Sequence, residues 1–560
     1  MSGILPLVLK AAGQRAVKDF VRAAGDPKAS QERYLLGHIR KTEETAFGQD
    51  HGFSDIHSYE EFAKRVPIQD YEGHRPYIER ALHGESQVLT MEEPLIYAST
   101  SGTTGSPKLL PITARFQKEL SAMSRIWFLQ ALADHPGIFR KKIFSVVSPA
   151  IEGFTPKGLP FGSMAGMTYQ NNPWILLRDF ALPYSLMTLS NYDLRDFMAL
   201  RLALTLDISM AVTPNPSTLL KLGRMAQAHG PALVKAIGDG VSGHTAIVPN
   251  DGLSEDDQAI LQVLCAGFKP NPKRAKELDH HIEKAGSLRL QDAWPDLGMI
   301  GCWLGGSAGI QARLLDETWG TTPRRDIGLR ASEASMTIPV NDGTAAGVLA
   351  VHSNFYEFIP EAEIEQSEPP VLRAHELEMG QRYYILLTTS GGLRRYDIND
   401  VVEVQGTYEQ APVLAFVGKG RDMANLTGEK LHVNHVLSAV ARSEQAEGLR
   451  AELFCTIPNV DEMRYDLLVE PESAWSESDG LRFLQEYDKA LTAENIEYGY
   501  KRDSGRLHAP RLCLMRKGWA DRQRRRDITS SGREVQYKWK AIRKQWDESA
   551  TSELERQVSL

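Results

Sequence analysis

The chain has 560 residues, of which 42% are hydrophobic and 24% are charged, a balance typical of globular proteins. Its formal net charge of −8 gives no overall attraction to nucleic acid. The length predicts more than one domain and a core large enough to need no disulfide bonds. The 4 cysteines stand far apart without a Cys-x-x-Cys pair, which indicates free thiols in a reducing compartment and hence a cytoplasmic protein.

The first hundred residues are mainly helical in pattern. The apolar run from Ile4 to Leu9 is too short for a signal peptide and predicts an amphipathic helix packed on the body. Binding of this helix to a membrane surface is the weaker alternative. Helical patterns follow at residues 31–45 and 58–66, and a strand-like run at 94–98 leads into a loop rich in Ser, Thr and Gly.

Short apolar runs then alternate with helical patterns, as at residues 143–147, 216–228 and 299–304, and such alternation favours an α/β sheet covered by helices. Residues 383–404 are strand-rich, and the glycine cluster of Gly418, Gly420 and Gly428 marks a domain boundary. We therefore predict an α/β protein with a large N-terminal domain, residues 1–420. A small α+β C-terminal domain, residues 421–560, should follow.

The most informative segment runs from Tyr97 to Lys108 and reads Tyr-Ala-Ser-Thr-Ser-Gly-Thr-Thr-Gly-Ser-Pro-Lys. Gly102 and Gly105 permit positive φ angles, so that successive amides can form a nest for an anion. The segment also carries hydroxyl donors and one positive charge suited to polyphosphate: Thr100, Ser101, Thr103, Thr104 and Lys108. The spacing is not that of a Walker loop. A flexible linker is the alternative, but it would need neither this order nor a flanking strand and lysine.

The segment from Thr100 to Lys108 resembles the phosphate loop of the adenylate-forming superfamily. Other segments are similar to the Gretchen Hagen-three family of acyl acid amido synthetases, and the resemblance covers about residues 30 to 540. It implies an enzyme that uses ATP and Mg²⁺ to activate a carboxylic acid and then transfers the acyl group to an amine. The similar segments are residues 47–53, 66–78, 294–307, 354–360, 376–402, 495–498 and 510–512.

The same resemblance implies roles for individual residues. The phosphates would contact Ser99, Thr100, Ser101, Gly102, Thr103, Thr104, Gly105 and Lys108, with Ser101 and Thr103 among the catalytic groups. Ala331, Ser332 and Glu333 match the adenine and magnesium motif, with Glu333 as the metal ligand. Asp400 matches the aspartate that binds the ribose hydroxyls. The alternatives are a surface glutamate for Glu333 and a salt bridge to Arg394 or Arg395 for Asp400.

Further implied roles fall in the C-terminal domain. Arg421 and Lys430 match residues that face the nucleotide in the closed form, with Lys430 among the catalytic groups, although either could be a solvated charge. Lys538 matches a catalytic lysine that reaches the phosphates, and Lys540, two residues on, is the alternative. The resemblance also implies that the small domain is mobile and rotates about a hinge near Arg421, withdrawing Lys538 and admitting the amine.

An acyl pocket is expected between the phosphate loop and residues 158–164, continuing to Trp174 and Met210. The same side chains could equally form ordinary core. The expected partners are small carboxylic acids and amines, not nucleic acid or membrane, and the sequence does not indicate the oligomeric state.

Three positions depart from the family pattern: Leu329 replaces an aromatic residue, Arg394 a tyrosine and Asn399 a glycine. Asn tolerates positive φ better than most residues, so the turn at Asn399 can survive. These departures leave a catalytically inactive nucleotide-binding relative as one alternative. An acyl-CoA or carrier-protein ligase, which would use the same first step, is the other.

Overall fold

Helices and short strands alternate through the structure, a computed structural model that describes residues 4–100, 108–170, 177–420, 423–424, 426, 429, 431–503, 505–531, 539–546 and 548–560. The chain divides into two units. The first comprises Met1–Leu304, Leu315–Ile398 and Val402–Phe416, and the second comprises Gly305–Leu314, Asn399–Val401 and Val417–Leu560.

The α-helices of the described residues begin and end as follows. In chain order they are Ile4–Gly25, Pro27–Lys41, Ala46–Asp50, Tyr59–Arg65, Tyr71–Leu82, Ala114–Asp134, Met164–Gln170, Tyr184–Met187, Tyr192–Ala203, Pro216–Asp239, Glu255–Cys265, Pro272–Ala285, Leu290–Ala293, Gly306–Arg313, Asp316–Trp319, Val433–Glu447, Glu477–Glu494, Ile496–Asp503, Trp519–Ser531 and Glu548–Thr551. Side chains explain several of the starts. Ser58 and Glu61 form a capping box, and Asp70 accepts a hydrogen bond from the Glu72 amide at 3.0 Å.

Two sheets of the first unit carry the segments singled out above. One contains β1 (Ile96–Thr100), β2 (Lys108–Ile112), β4 (Gly153–Phe154) and β5 (Pro160–Gly162), in the order β2-β1-β5-β4. The other contains β3 (Lys142–Phe144), β6 (Ile208–Val212), β7 (Met299–Gly301) and β8 (Arg324–Arg325), in the order β3-β6-β7-β8, and all of its pairings are parallel. A parallel sheet must be covered on both faces, which explains its apolar, buried strands.

A seven-stranded sheet follows in the chain. Its strands are β9 (Thr337–Ile338), β10 (Ala346–Leu349), β11 (Phe355–Pro360), β12 (Leu372–Arg373), β13 (Arg382–Thr388), β14 (Tyr396–Tyr408) and β15 (Ala411–Lys419). They lie in the order β12-β11-β13-β14-β15-β10-β9. The core of the first unit joins side chains from all three sheets to the first helix, whose Phe20 and Ala24 are fully buried. The predicted N-terminal helix is therefore present and packed on this core.

The second unit has its own sheet and core. Strands β16 (Met423–Ala424) and β17 (Leu431–His432) pair with each other, while β18 (Ala451–Asn459), β19 (Arg464–Pro471), β20 (Arg511–Met515) and β21 (Leu554–Ser559) form a sheet in that order. The helices Val433–Glu447 and Glu477–Glu494 pack together, and the core includes Phe454, Tyr465, Phe483 and Tyr487.

The predicted α/β fold class, with a large N-terminal part and a smaller C-terminal part, is confirmed by this architecture. The described cysteines are all free thiols, namely Cys265, Cys302, Cys455 and Cys513. Among the helices of the described residues, none combines the length and apolar character needed to cross a membrane.

Candidate active site

The predicted phosphate loop connects two strands of an antiparallel hairpin. In this hairpin β1 pairs with β2, with Ser99 opposite Leu109 and Thr100 opposite Lys108. The hairpin therefore brings the first and last residues of the motif side by side. Ser101, Gly102, Thr103, Thr104 and Gly105 lie outside the described residues.

Lys108, the lysine of the motif, contacts an aromatic ring. Its Nζ lies 5.2 Å from the centroid of the Tyr71 ring, within the range of a cation–π interaction. The amide of the next residue, Leu109, donates a hydrogen bond to the Tyr71 hydroxyl at 3.1 Å. Burial raises the pKa of Tyr71, so this residue is a neutral partner for both contacts.

The carboxyl ends of the parallel strands carry the second group of motif residues, which is where ligands bind in open α/β sheets. Asp326 directly follows β8 and accepts hydrogen bonds from the amides of Leu304 and Gly328, both at 2.6 Å. Burial raises the pKa of Asp326 to about 6. Its carboxyl group thus fixes the loop that leads towards Ala331, rather than facing solvent.

Ala331, Ser332 and Glu333 form a tight turn after this loop. The Ala331 amide donates to the Ala334 carbonyl at 2.8 Å, and Arg330 and Ser335 form a bridge on either side. All three motif residues are half-buried. Leu329, the departure from the family pattern, packs partly buried against the core.

Tyr396, the first residue of β14, is affected by charges from the turn that contains Glu333 and from the segment that contains Asp70. Burial raises its pKa, and the charges of Glu333, Asp70 and Asp397 raise it further. The backbone joins the same parts, because the Asp397 amide donates to the Gln69 carbonyl at 2.8 Å. Glu333 and Asp70 therefore both act on the same side chain, that of Tyr396, and Asp70 directly precedes the Tyr71 that contacts Lys108.

Arg394 and Arg395 are each bound within the first unit. Arg395 pairs with Glu357 at 2.9 Å, and both side chains are buried. Arg394 is also buried and donates to the carbonyls of Thr389 and Leu393 at 3.1 and 3.0 Å. Burial lowers the pKa of Arg394 to about 9.

Asp400 belongs to the second unit, where it forms an ion pair with Lys419. Arg394 or Arg395 is the ion-pair partner that the sequence suggests for Asp400, but the partner in the structure is Lys419. Asn399 has a φ of 62°, the left-handed value that a glycine would adopt at low cost. Its carbonyl accepts a hydrogen bond from Gly420 at 3.0 Å, which fixes the turn before Asp400.

Arg421, Lys430 and Lys538 lie outside the described residues, but their described neighbours are anchored within the second unit. Glu429 accepts hydrogen bonds from the Tyr465 hydroxyl and from the Leu426 amide, the latter at 2.7 Å. Next to Lys538, the buried Trp539 donates through Nε1 to the Phe454 carbonyl at 2.6 Å, whereas Lys540 is exposed.

The region of the expected acyl pocket is partly described. Strand β5 runs parallel to β1 and places Phe161 opposite Tyr97 and Gly162 opposite Ala98. Residues 158–164 therefore lie beside the strand that leads into the phosphate loop. Met210 is fully buried in β6 as part of the core, and Trp174 lies outside the described residues.

Sequence reasoning did not single out Tyr71 and Tyr396 as site residues. Both lie in segments that resemble the family, but neither carries a functional group of an expected kind. A tyrosine directly after a helix-capping aspartate is the one local signal at Tyr71.

Comparisons with known proteins identify the family of the chain. The family description "GH3 family central domain" matches residues 347–419, and "GH3 family C-terminal domain" matches residues 434–545. The indole-3-acetic acid-amido synthetase GH3.15 of Arabidopsis thaliana is 24% identical over 406 residues, spanning 68% of this chain and 66% of that protein. The jasmonoyl–L-amino acid synthetase JAR4 of Nicotiana attenuata is 23% identical over 527 residues, spanning 89% of this chain and 87% of that protein.

A solved structure shows the same fold. It is that of the AtGH3.15 acyl acid amido synthetase in complex with 2,4-DB, with a TM-score of 0.83 and 19% sequence identity, covering 100% of this chain and 98% of that one. The description "GH3 family N-terminal domain" matches residues 16–324, more than half of the 560 residues. The chain therefore belongs to the GH3 family.

Proposed function

We propose that this protein is an ATP-dependent acyl acid amido synthetase. It joins a small carboxylic acid to an amine or amino acid and releases AMP and pyrophosphate. The observation that carries the proposal is the β1–β2 hairpin, whose register brings Thr100 opposite Lys108 at the two ends of the phosphate motif. Membership of the family supports the same reaction.

In the first step, a carboxylate oxygen of the acid attacks the α-phosphorus of ATP, and the bond to the pyrophosphate group breaks. The carboxylate is already ionised at neutral pH, so no protein base is needed. The protein's task is to align the reactants and stabilise charge. We assign the phosphate contacts to Ser99, Thr100, Lys108 and the hydroxyls and amides of residues 101–105, with Ser101 and Thr103 among the catalytic groups.

In the second step, the amine nitrogen attacks the acyl carbonyl carbon, AMP leaves with the bonding electron pair, and the nitrogen loses a proton. We assign the ribose contact to Asp400 and further nucleotide contacts to Arg421 and Lys430. Lys538 is proposed to act in the first step. These roles rest on the match of each residue to the family pattern.

Magnesium is proposed as the metal that accompanies ATP. Within the described parts of the chain, no group of three or more His, Cys, Asp or Glu side chains could hold a metal by itself. Mg²⁺ commonly binds through one or two carboxylates together with substrate phosphates. Glu333, half-buried in the turn after β8, fits that requirement as a single carboxylate ligand. When bound, the ion would neutralise charge on the phosphates as pyrophosphate leaves.

The expected acid is small and carries apolar or aromatic carbon, because Phe161 and Met164 lie along the segment beside β1. The named relatives act on indole-3-acetic acid and form jasmonoyl conjugates, and the similar solved structure contains 2,4-DB. These three acids therefore form the first panel of substrates.

ATP–pyrophosphate exchange across a panel of carboxylic acids tests the first step. We expect exchange that depends on one class of acid, followed by amide products when amino acids are added, as detected by mass spectrometry. Amides should form without coenzyme A. Exchange combined with strictly coenzyme A-dependent product would identify an acyl-CoA ligase instead. ATP binding without exchange for any acid would identify an inactive relative.

Two variants distinguish Lys538 from Lys540 as the catalytic lysine of the C-terminal region. Lys538→Ala should lower exchange by roughly 10²–10³-fold, the usual scale for one preorganised charge. Lys540→Ala is the matched control. Lys540 lies two residues after Lys538, carries the same charge and is exposed. The reverse result, with the larger loss in Lys540→Ala, would transfer the role to Lys540.

A further inference from the structure

Tyr71 holds the end of the phosphate motif through two different contacts. Its hydroxyl accepts a hydrogen bond from the Leu109 amide at 3.1 Å, and its ring centroid lies 5.2 Å from the Lys108 Nζ. Among the described strands, β2 lies at the edge of its sheet, so one side of its backbone faces no other described strand. The hydroxyl of Tyr71 supplies a partner on that side at the residue next to the lysine.

Tyr71 is itself firmly held. It is only 6% exposed and begins a helix that is capped by Asp70. The preceding residue, Gln69, bonds on both sides of Tyr396, from its amide to the Arg395 carbonyl at 3.2 Å and from the Asp397 amide to its carbonyl at 2.8 Å. The ring therefore lies on a segment fixed to strand β14 and is a rigid support for a long, flexible lysine side chain.

We propose that Tyr71 is a positioning residue that aligns Lys108 for contact with the phosphates of ATP. The inference rests on the proposed function, since it takes Lys108 to be a phosphate ligand. A lysine side chain loses about 1.5–2 kcal/mol of conformational freedom when it is ordered. Contact with Tyr71 restricts this freedom before ATP binds, which favours binding.

The nature of the partner matters as much as its position. A carboxylate at the same place would also hold Lys108, but it would neutralise the charge and compete with phosphate. An aromatic ring attracts the ammonium group through its quadrupole and leaves the positive charge in place. The arrangement therefore restricts the lysine while preserving its attraction for an anion.

Two substitutions separate the contacts of Tyr71. Tyr71→Phe keeps the ring beside Lys108 and removes the hydroxyl, whereas Tyr71→Leu removes both. We expect kcat/KM for ATP to fall about threefold in Tyr71→Phe and about tenfold in Tyr71→Leu. The KM of the acid should be unchanged. A loss that affected ATP and acid equally, together with a lower Tm, would show a merely structural role and overturn the proposal.

Tyr77, six positions along the same helix, is the matched control. Its hydroxyl donates to Asp50 at 2.9 Å, and its ring lies 5.7 Å from the Arg80 guanidinium. Tyr77 therefore also combines a hydroxyl hydrogen bond with a cation–π contact, although its hydroxyl donates where that of Tyr71 accepts. Tyr77→Phe and Tyr77→Leu should leave kcat/KM for ATP within twofold of the unsubstituted protein. Equal losses at Tyr77 and Tyr71 would contradict a specific role for Tyr71.

A double-mutant cycle with Lys108→Met gives the decisive test, because it isolates the coupling between the two side chains. If Tyr71 acts through Lys108, adding Tyr71→Leu to Lys108→Met should cause little further loss. Independent, multiplying losses would overturn the proposal.

Binding of a non-hydrolysable ATP analogue, measured by calorimetry on the full chain, separates this inference from the proposed reaction. This measurement needs no acid substrate. Weaker binding in Tyr71→Leu without exchange for any acid would support the positioning role and refute the synthetase. Normal exchange in the unsubstituted protein, with unchanged ATP-analogue binding in Tyr71→Leu, would support the synthetase and refute the positioning role.

Discussion

Lys108 of the first unit and Lys419 of the second both lie next to residues assigned to the nucleotide, yet they are held in opposite ways. Lys108 contacts the neutral ring of Tyr71 and, within the described ranges, has no carboxylate partner. Lys419 pairs with Asp400, which is only 3% exposed. We propose that Lys108 keeps its charge for the phosphates of ATP, whereas Lys419 compensates a buried aspartate. The partner of each lysine is the basis for the two different roles that we propose.

The largest effect that this contrast predicts is on catalysis. Lys108→Ala should lower ATP–pyrophosphate exchange by roughly 10²–10³-fold, because one well-aimed positive charge is lost. The free energy of unfolding should hardly change, since no buried carboxylate loses its partner. Exchange kinetics and urea denaturation of the same preparation measure both quantities. Strong destabilisation with normal catalysis would reverse the roles given to the two lysines.

The first unit also buries a histidine in its neutral form, close to the Tyr71 segment. His74 is fully buried, its Nδ1 lies 3.1 Å from the Asp70 carbonyl, and its Nε2 accepts a hydrogen bond from the Arg394 amide at 3.2 Å. One ring nitrogen must donate and the other must accept, so the bonds fit the neutral imidazole. Burial lowers the pKa of His74 to about 4 from its ordinary 6.5.

A pH dependence of stability follows from His74. Between pH 6.5 and 4 the unfolded chain binds a proton that the folded chain does not, so folding loses stability as the pH falls through this range. The loss is about 3 kcal/mol at pH 4 relative to pH 7. Asp326, with its pKa raised to about 6, contributes in the opposite direction.

His74→Gln separates the two contributions, because its amide can donate and accept but does not titrate. Urea denaturation at several pH values should show a smaller loss of stability at low pH in this variant than in the unsubstituted protein. Asp326 is present in both proteins and cancels in the difference. An identical pH dependence would show that folding does not lower the pKa of His74.

A smaller effect is expected for Lys419. Lys419→Met leaves Asp400 buried without its cation and should lower the free energy of unfolding by about 1–2 kcal/mol. This is below the value for a fully buried pair, because the lysine side chain is 38% exposed. Lys419→Arg keeps the charge and serves as the control in the same denaturation experiment. Equal stability of the two variants would show that Asp400 does not depend on this cation.

The sequence predicted those features that depend on neighbouring residues. The strand before the phosphate motif, the α/β alternation and the turn at Asn399 all follow from local patterns, and the structure contains each of them. Tyr71 could not be found in this way, because its contact with Leu109 joins residues 38 positions apart. The pairing of Asp400 with Lys419 depends in the same manner on the register of two strands, which local composition does not determine.

The assignment of segments to the two units could not be predicted from their order in the sequence either. The helix Gly306–Arg313 belongs to the second unit although it lies far before the predicted boundary near residue 420. Its Arg313 forms an ion pair with Glu444 at 3.0 Å. A domain boundary predicted from composition assumes that a unit is continuous in the chain, whereas the second unit also includes the two earlier segments Gly305–Leu314 and Asn399–Val401.

The smallest predicted effect concerns the turn that presents Asp400. Asn399 has a φ of 62°, which Asn adopts at modest cost and Gly at none, whereas an alanine Cβ is disfavoured there. Asn399→Gly should therefore change the free energy of unfolding by less than about 0.5 kcal/mol, while Asn399→Ala should lower it by about 1 kcal/mol. Urea denaturation of the two variants resolves this difference. Because alanine changes the backbone conformation directly before Asp400, the exchange activity of this variant should fall. The exchange activity of the glycine variant should not fall. If alanine were tolerated as well as glycine, the turn would not require the left-handed backbone, and Asp400 would be positioned by Lys419 alone.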